Sequence, residues 1–188
     1  MPSSASYSDT TLKLKKAVII AIFSSIAVVL GVLESMFPTQ LIFPVPGAKL
    51  GLANIMVLTC LFFLKGRDAF ALVVLKTLLM TLILGTFSAF LFSFMGTLFS
   101  FLVMYALLKI GRGRISLIGI SVLGGVAHNA GQLTAAVLIF KSTKIFYYLP
   151  PLMLLGVLTG IFVGIAAKYV TTSLSKLSLF NPFTPETA

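Results

Sequence analysis

The sequence predicts an all-α integral membrane protein: six transmembrane helices in one bundle, with both termini in the cytoplasm. Three observations predict it. First, the chain is 59% hydrophobic and only 10% charged, with a mean hydropathy of +1.12; a soluble domain carries about a quarter charged residues. Second, long apolar runs recur from Ala17 to Tyr169, and roughly 20 such residues cross a bilayer. Third, the basic residues fall between the runs and favour alternate loops, as topology requires.

The chain divides into a polar, disordered tail over 1–13, a membrane domain over 14–172 and a cytoplasmic C-terminal tail over 173–188. LKLKK precedes AVIIAIFSSIAVVLGVL, the order of charge and apolar run found in a signal peptide. No clear small-x-small cleavage site follows, so the run is read as a retained first span, 16–36, ending before Pro38. The loop PTQLIFPVPGA leads to span two, 48–64, which KGRD stops. Span three covers 68–85 and span four 88–109. Only Gly85-Thr86-Phe87-Ser88 marks their turn, because the stretch is apolar throughout. GRGR at 111–114 precedes span five, 115–140. KSTK at 141–144 and Pro150-Pro151 lead into span six, 148–171.

Basic residues set the orientation. One side holds Lys13, Lys15, Lys16, Lys65, Arg67, Lys109, Arg112, Arg114, Lys168 and Lys176; the other holds Lys49, Lys141 and Lys144. The richer side is cytoplasmic by the positive-inside rule, here that of a bacterial plasma membrane. The net charge of +10 is therefore a topology signal and not a nucleic-acid one. No basic patch interleaved with aromatics accompanies it. The single cysteine, Cys60, is a small buried hydrophobe within a span. It rules out an intrachain disulfide within this sequence.

Small residues mark close helix contacts, since lipid supplies no hydrophobic drive between helices. Gly156, Gly160 and Gly164 form a stripe on span six that reads as packing. Ala17, Ala21 and Ser25 form another on span one, open to packing or to a docked partner.

Charged groups at mid-bilayer cost roughly 2.5–3.5 kcal/mol on insertion scales. The polar residues inside spans are therefore the functional candidates: Lys49, Asn54, Lys76, His128 and Gln132, with Glu34 and Asn129 beside them. A rise of about 1.5 Å per residue places them at the midplane or in the outer half. Ser121, Gly125, His128 and Gln132 share one face of span five, while Asn129 lies about 100° round. Two readings of His128 and Gln132 stay open, interhelical hydrogen bonds and a ligand site open to the outer face. A proton relay is disfavoured, because it wants a chain of acids and histidines. Lys49 follows Pro46-Gly47-Ala48 where a helix begins, and a lysine beside free backbone N–H groups suits an anion.

Catalytic signatures are sparse. The only aspartates are Asp9 and Asp68, so no Asp-rich motif holds Mg²⁺ and a diphosphate. There is no P-loop, so any ATP-driven transport requires other subunits. One histidine makes no zinc site, and no enzyme activity or cofactor is expected.

Four stretches carry a family likeness: PGAKLGLANI (46–55), the following LTCLFFLKGRDAF, GTFSAFLFSFMGTLFSFLVM (85–104) and ISLIGISVLGGVAHNAGQL (115–133). Together, over roughly 14–172, they resemble the bacterial membrane family labelled heptaprenyl diphosphate synthase component I, also called the Gx transporter family. That family is similar to the substrate-binding S components of energy-coupling factor (ECF) vitamin transporters. The resemblance implies a six-helix S-component-like bundle that captures a small anionic organic molecule from the outer face. It implies a lid formed by the loop between spans one and two. It also implies docking on a transmembrane T component and cytosolic ATPases through an alanine motif, here Ala17 and Ala21. The alternative it leaves is a non-catalytic membrane subunit of an isoprenoid, quinone or flavin-based extracellular electron-transfer assembly. The flavin-attachment pattern is incomplete, since Leu84-Gly85-Thr86 lacks the acidic or serine residue it needs.

Overall fold

The computed structural model describes residues 4–36, 50–111 and 114–183. Among the described residues there are six α-helices: α1 Ser4–Met36, α2 Asn54–Phe63, α3 Gly66–Leu84, α4 Phe87–Gly111, α5 Leu117–Phe140 and α6 Leu149–Leu174. Short 3₁₀ helices cover Thr143–Tyr148 and Asn181–Phe183. No strand occurs among the described residues. Among the described residues, four segments are long and apolar enough to cross a membrane: Thr10–Met36, Phe87–Gly111, Leu117–Phe140 and Thr143–Leu174. The other two expected spans differ. α2 has only 10 residues, about 15 Å of rise, and α3 carries Arg67, Asp68 and Lys76.

Local chemistry explains the ends. No proline or glycine interrupts residues 4–30, so α1 begins at Ser4 and takes in residues expected to be disordered. α3 stops at Gly85, whose φ of 70° lies in the left-handed region and whose N–H donates to the Thr81 carbonyl at 2.8 Å. A glycine there ends a helix without a Cβ clash, and it supplies the turn that the apolar pattern left unmarked. The Ser116 hydroxyl accepts from the Gly119 N–H at 3.1 Å and caps α5. Pro150 and Pro151 sit in the first turn of α6, where a missing N–H costs nothing.

α2 lies at the centre. It packs against α1, α3, α4 and α6, and every residue from Asn54 to Phe63 except Phe62 is buried. Around it, α1 packs on α3, α3 on α4, α4 on α5 and α5 on α6. The C-terminal segment folds back instead of trailing away. Phe180, 3% exposed, stacks on Phe23 at 6.0 Å and meets Phe63 at 4.7 Å. It thereby closes one end of the bundle between α1 and α2.

The α5–α6 contact is the closest. Gly156, Gly160 and Gly164 face α5, and a Cβ on Gly160 would lie 2.6 Å from Val122 Cα and 2.9 Å from the Ser121 carbonyl oxygen. The opposite face of α6 shows Leu154, Leu158 and Phe162 outward. Lipid and helix partner are both apolar, so such a helix needs no polar face.

Gly160→Ala is expected to cost about 1–3 kcal/mol by overpacking against backbone. It should lower the thermal midpoint of the detergent-solubilised protein. Gly119→Ala, whose nearest atom would lie 3.4 Å away, should leave the midpoint unchanged or raise it. Equal midpoints for the two variants would refute close packing at the glycine stripe.

Candidate functional site

The site starts from a backbone problem. α2 is about 15 Å long, half the thickness of a hydrocarbon layer of about 30 Å, and its first turn is buried among the other helices. The N–H groups at a helix start have no partner within the helix, and lipid provides none. The turn that leads into α2 meets part of the need with its own carbonyls, and the Glu34 side chain, at the end of α1, holds the N–H groups of that turn. Its Oε1 accepts from the Gly51 N–H at 2.5 Å and its Oε2 from the Leu52 N–H at 3.0 Å. Asn54 and Ile55 donate to the carbonyls of Gly51 and Leu52 at 2.9 and 3.1 Å. Glu34 is only 3% exposed. The position suits a carboxyl group, since two backbone N–H groups donate to it and it faces the positive end of a helix.

Gly51 makes the turn possible. Its φ is 82°, and a Cβ would lie 3.1 Å from Asn54 Nδ2 and 3.4 Å from His128 Cδ2. The glycine therefore brings the α2 start against α5. Asn54 Nδ2 lies 3.1 Å from His128 Nδ1. The amide nitrogen donates, so Nδ1 is the acceptor of this contact. On the far side of the ring stands α4. A Cβ on Gly96 would come within 2.9 Å of both His128 Cε1 and Gln132 Cγ. One residue on, Thr97 Oγ1 accepts from Lys76 Nζ at 2.7 Å. Lys76, His128 and Gln132 are all at most 4% exposed.

Five of the expected residues thus meet in one buried cluster: Glu34, Asn54, Lys76, His128 and Gln132. Asn129 turns the other way, donating to the Leu152 carbonyl at 2.6 Å and tying α5 to α6. Lys49 lies outside the described residues, as does most of the loop expected to form a lid. Ala17, Ala21 and Ser25 are exposed on α1, among outward Val18, Ile22 and Ile26.

Next to the cluster lies a small cavity of about 10 Å³, lined in part by Gly51, Asn54, Ser100, Ser121 and Thr159. That is room for about one water. Asn54 Oδ1 and the hydroxyls of Ser100 and Ser121 are buried there without a hydrogen-bond partner. Other buried hydroxyls return to their own helix: Thr59 to Ile55 at 2.8 Å, Thr77 to Val73 at 2.7 Å. Ser100 and Ser121 forgo that bond and keep polar capacity aimed at the cavity.

Sequence reasoning missed the α4 contribution. Ser93, Gly96, Thr97 and Ser100 share one face in SFMGTLFS, and all four are buried. Small and polar residues at this spacing in a phenylalanine-rich span were the available signal. It also missed Gly51, whose positive φ is a tertiary demand.

Glu34→Ala is expected to destabilise the protein by about 2–5 kcal/mol, since two buried donors lose their acceptor. Amide hydrogen exchange at Gly51 and Leu52 should accelerate with it. Glu34→Gln keeps one acceptor and should cost less. Unchanged exchange at both amides in the alanine variant would show that Glu34 does not cap α2.

The comparisons with known proteins give one match. The family model described as heptaprenyl diphosphate synthase component I matches residues 23–170. No curated protein and no solved structure matches the chain.

Proposed function

The chain belongs to the heptaprenyl diphosphate synthase component I family, and from that premise we propose that it is a non-catalytic, S-component-like substrate-binding subunit of an ECF-type uptake transporter. It spans a bacterial plasma membrane six times with both termini in the cytoplasm. It takes a small anionic organic molecule from the outer face and hands it to a T component driven by cytosolic ATPases.

The observation that carries this reading is the start of the short central helix, which faces polar side chains from α1, α3, α4 and α5. Discontinuous helices whose N-termini point at anionic groups are how transporters build midplane sites. Glu34 occupies that position here, so a ligand carboxylate or phosphate takes it by displacing Glu34. The small cavity of about 10 Å³ then enlarges as Glu34 leaves. Lys76 and Lys49 balance the incoming charge, while Asn54, His128 and Gln132 supply directional hydrogen bonds.

A second reading follows from the family's own description as a component of a synthase. In it the chain is a membrane subunit of an isoprenoid, quinone or flavin-based electron-transfer assembly, without chemistry of its own. Of its two aspartates, Asp68 bonds Lys16 at 3.3 Å and accepts from the Lys65 N–H.

Copurification separates the two. The transport reading expects a T component and ATPases to copurify, and expects Ala17→Leu or Ala21→Leu to remove them. Redox or prenyl-transferring partners without ATPases would overturn it. A thermal-shift screen checks the site. A stabilising organic anion should lose most of its effect in His128→Ala and in Lys49→Ala; retention of the full shift in both would remove these residues from the pocket.

A further inference from the structure

A second concavity lies away from this cluster, at the end of the bundle where α2 hands over to α3. It is an open groove of about 430 Å³ between α2, α3 and α4, within the usual range of small-molecule sites. Its rim carries Lys65, Arg67 and Lys109, and its wall is formed by Leu61, Leu64 and Leu108. The positive-inside rule accounts for cations at this end. It does not account for a concave site that joins three of them to an apolar wall.

The charges there are available. The nearest acid on α3, Asp68, is bonded to Lys16 Nζ and to the Lys65 N–H, each at 3.3 Å. Arg67 has no hydrogen-bond or ion-pair partner among the described residues. Lys109 Nζ sits 5.0 Å over the Tyr105 ring, a contact that leaves its N–H donors open. Tyr105 is itself held rigidly. It stacks on Phe101 at 5.8 Å with 7° between the planes, and its ring packs so closely on Gly66 that a Cβ there would overlap it.

We propose that this groove binds a phosphorylated amphiphile, with the phosphate held by Lys65, Arg67 and Lys109 and the first carbons of an aliphatic tail laid along the three leucines. A guanidinium matches two phosphate oxygens at once. Basic pockets between membrane helices at a cytoplasmic boundary recognise anionic lipid headgroups in this way. The site shares no residue with the buried cluster and does not depend on the transport reading.

Native mass spectrometry of the full chain, released from micelles holding equimolar phosphatidylglycerol and phosphatidylcholine, tests it. The wild type should retain phosphatidylglycerol preferentially. The double variant Arg67→Gln with Lys109→Gln should lose about thirtyfold of that preference. A control pair, Lys168→Gln with Lys176→Gln, removes the same charge outside the groove and should keep it. No headgroup preference in the wild type, or an equal loss in the control pair, overturns the proposal. Dodecyl phosphate should displace the lipid, and inorganic diphosphate should do so far less well. Equal displacement by the two overturns the assignment of an amphiphile.

Discussion

The fold depends on one constraint: the start of α2 carries N–H groups inside an apolar bundle, and they need an acceptor. Glu34 provides it through Gly51 and Leu52. The consequences spread outward. Because the acceptor sits on α1, the first helix is held against the central one where lipid gives no hydrophobic drive for association. Because the cap is a side chain and not another turn of helix, α2 starts only at Asn54. That leaves space above it for groups from α4 and α5. A buried carboxylate on its own would be costly; two charge-assisted bonds and a helix dipole offset that cost.

The same accounting separates structural polarity from the rest. In this bundle most threonines spend their hydroxyls on the carbonyl four residues back: Thr59, Thr77, Thr81, Thr134 and Thr171 all do so. Such residues cost little in lipid and say little about function. Ser100 and Ser121 face one cavity with Asn54, each with an atom left unsatisfied. Their position beside the Asn54–His128 contact makes polarity there a local property of the site and not a general feature of the helices.

Much of the helix layout was legible in the sequence, since apolar run lengths and punctuating charges report directly on helices in a bilayer. The boundaries of spans four, five and six fall within three residues of the expected ones. Span two was legible only in part. Residues 48–64 read as one apolar run, yet Leu50 to Ala53 are not helical. Hydropathy cannot register that break, because Leu50, Leu52 and Ala53 are as apolar as helix residues are. Glu34, Asn54, Lys76, His128 and Gln132 stood out through their transfer cost, and they come together. What each one touches was not legible: the partners of Glu34 are backbone groups, and those exist only once α2 has stopped short. Asn129 could be separated from His128 by helical angle alone, and its bond to Leu152 lies on the other side.

Helix glue and polar-site wall therefore cease to be alternatives for α5. Within eight residues, the helix carries both. Gly125 and Asn129 face α6, where small size and one amide bond fix the closest helix pair in the bundle. His128 and Gln132 face α2 and α4 across Gly51 and Gly96. The first pair makes the second usable. A histidine is a directional recognition group only if its ring is held, and the α5–α6 contact fixes the backbone from which it projects. Asn54 then fixes the ring through Nδ1. The single histidine is thus oriented by two independent contacts, one that sets its backbone and one that sets its ring.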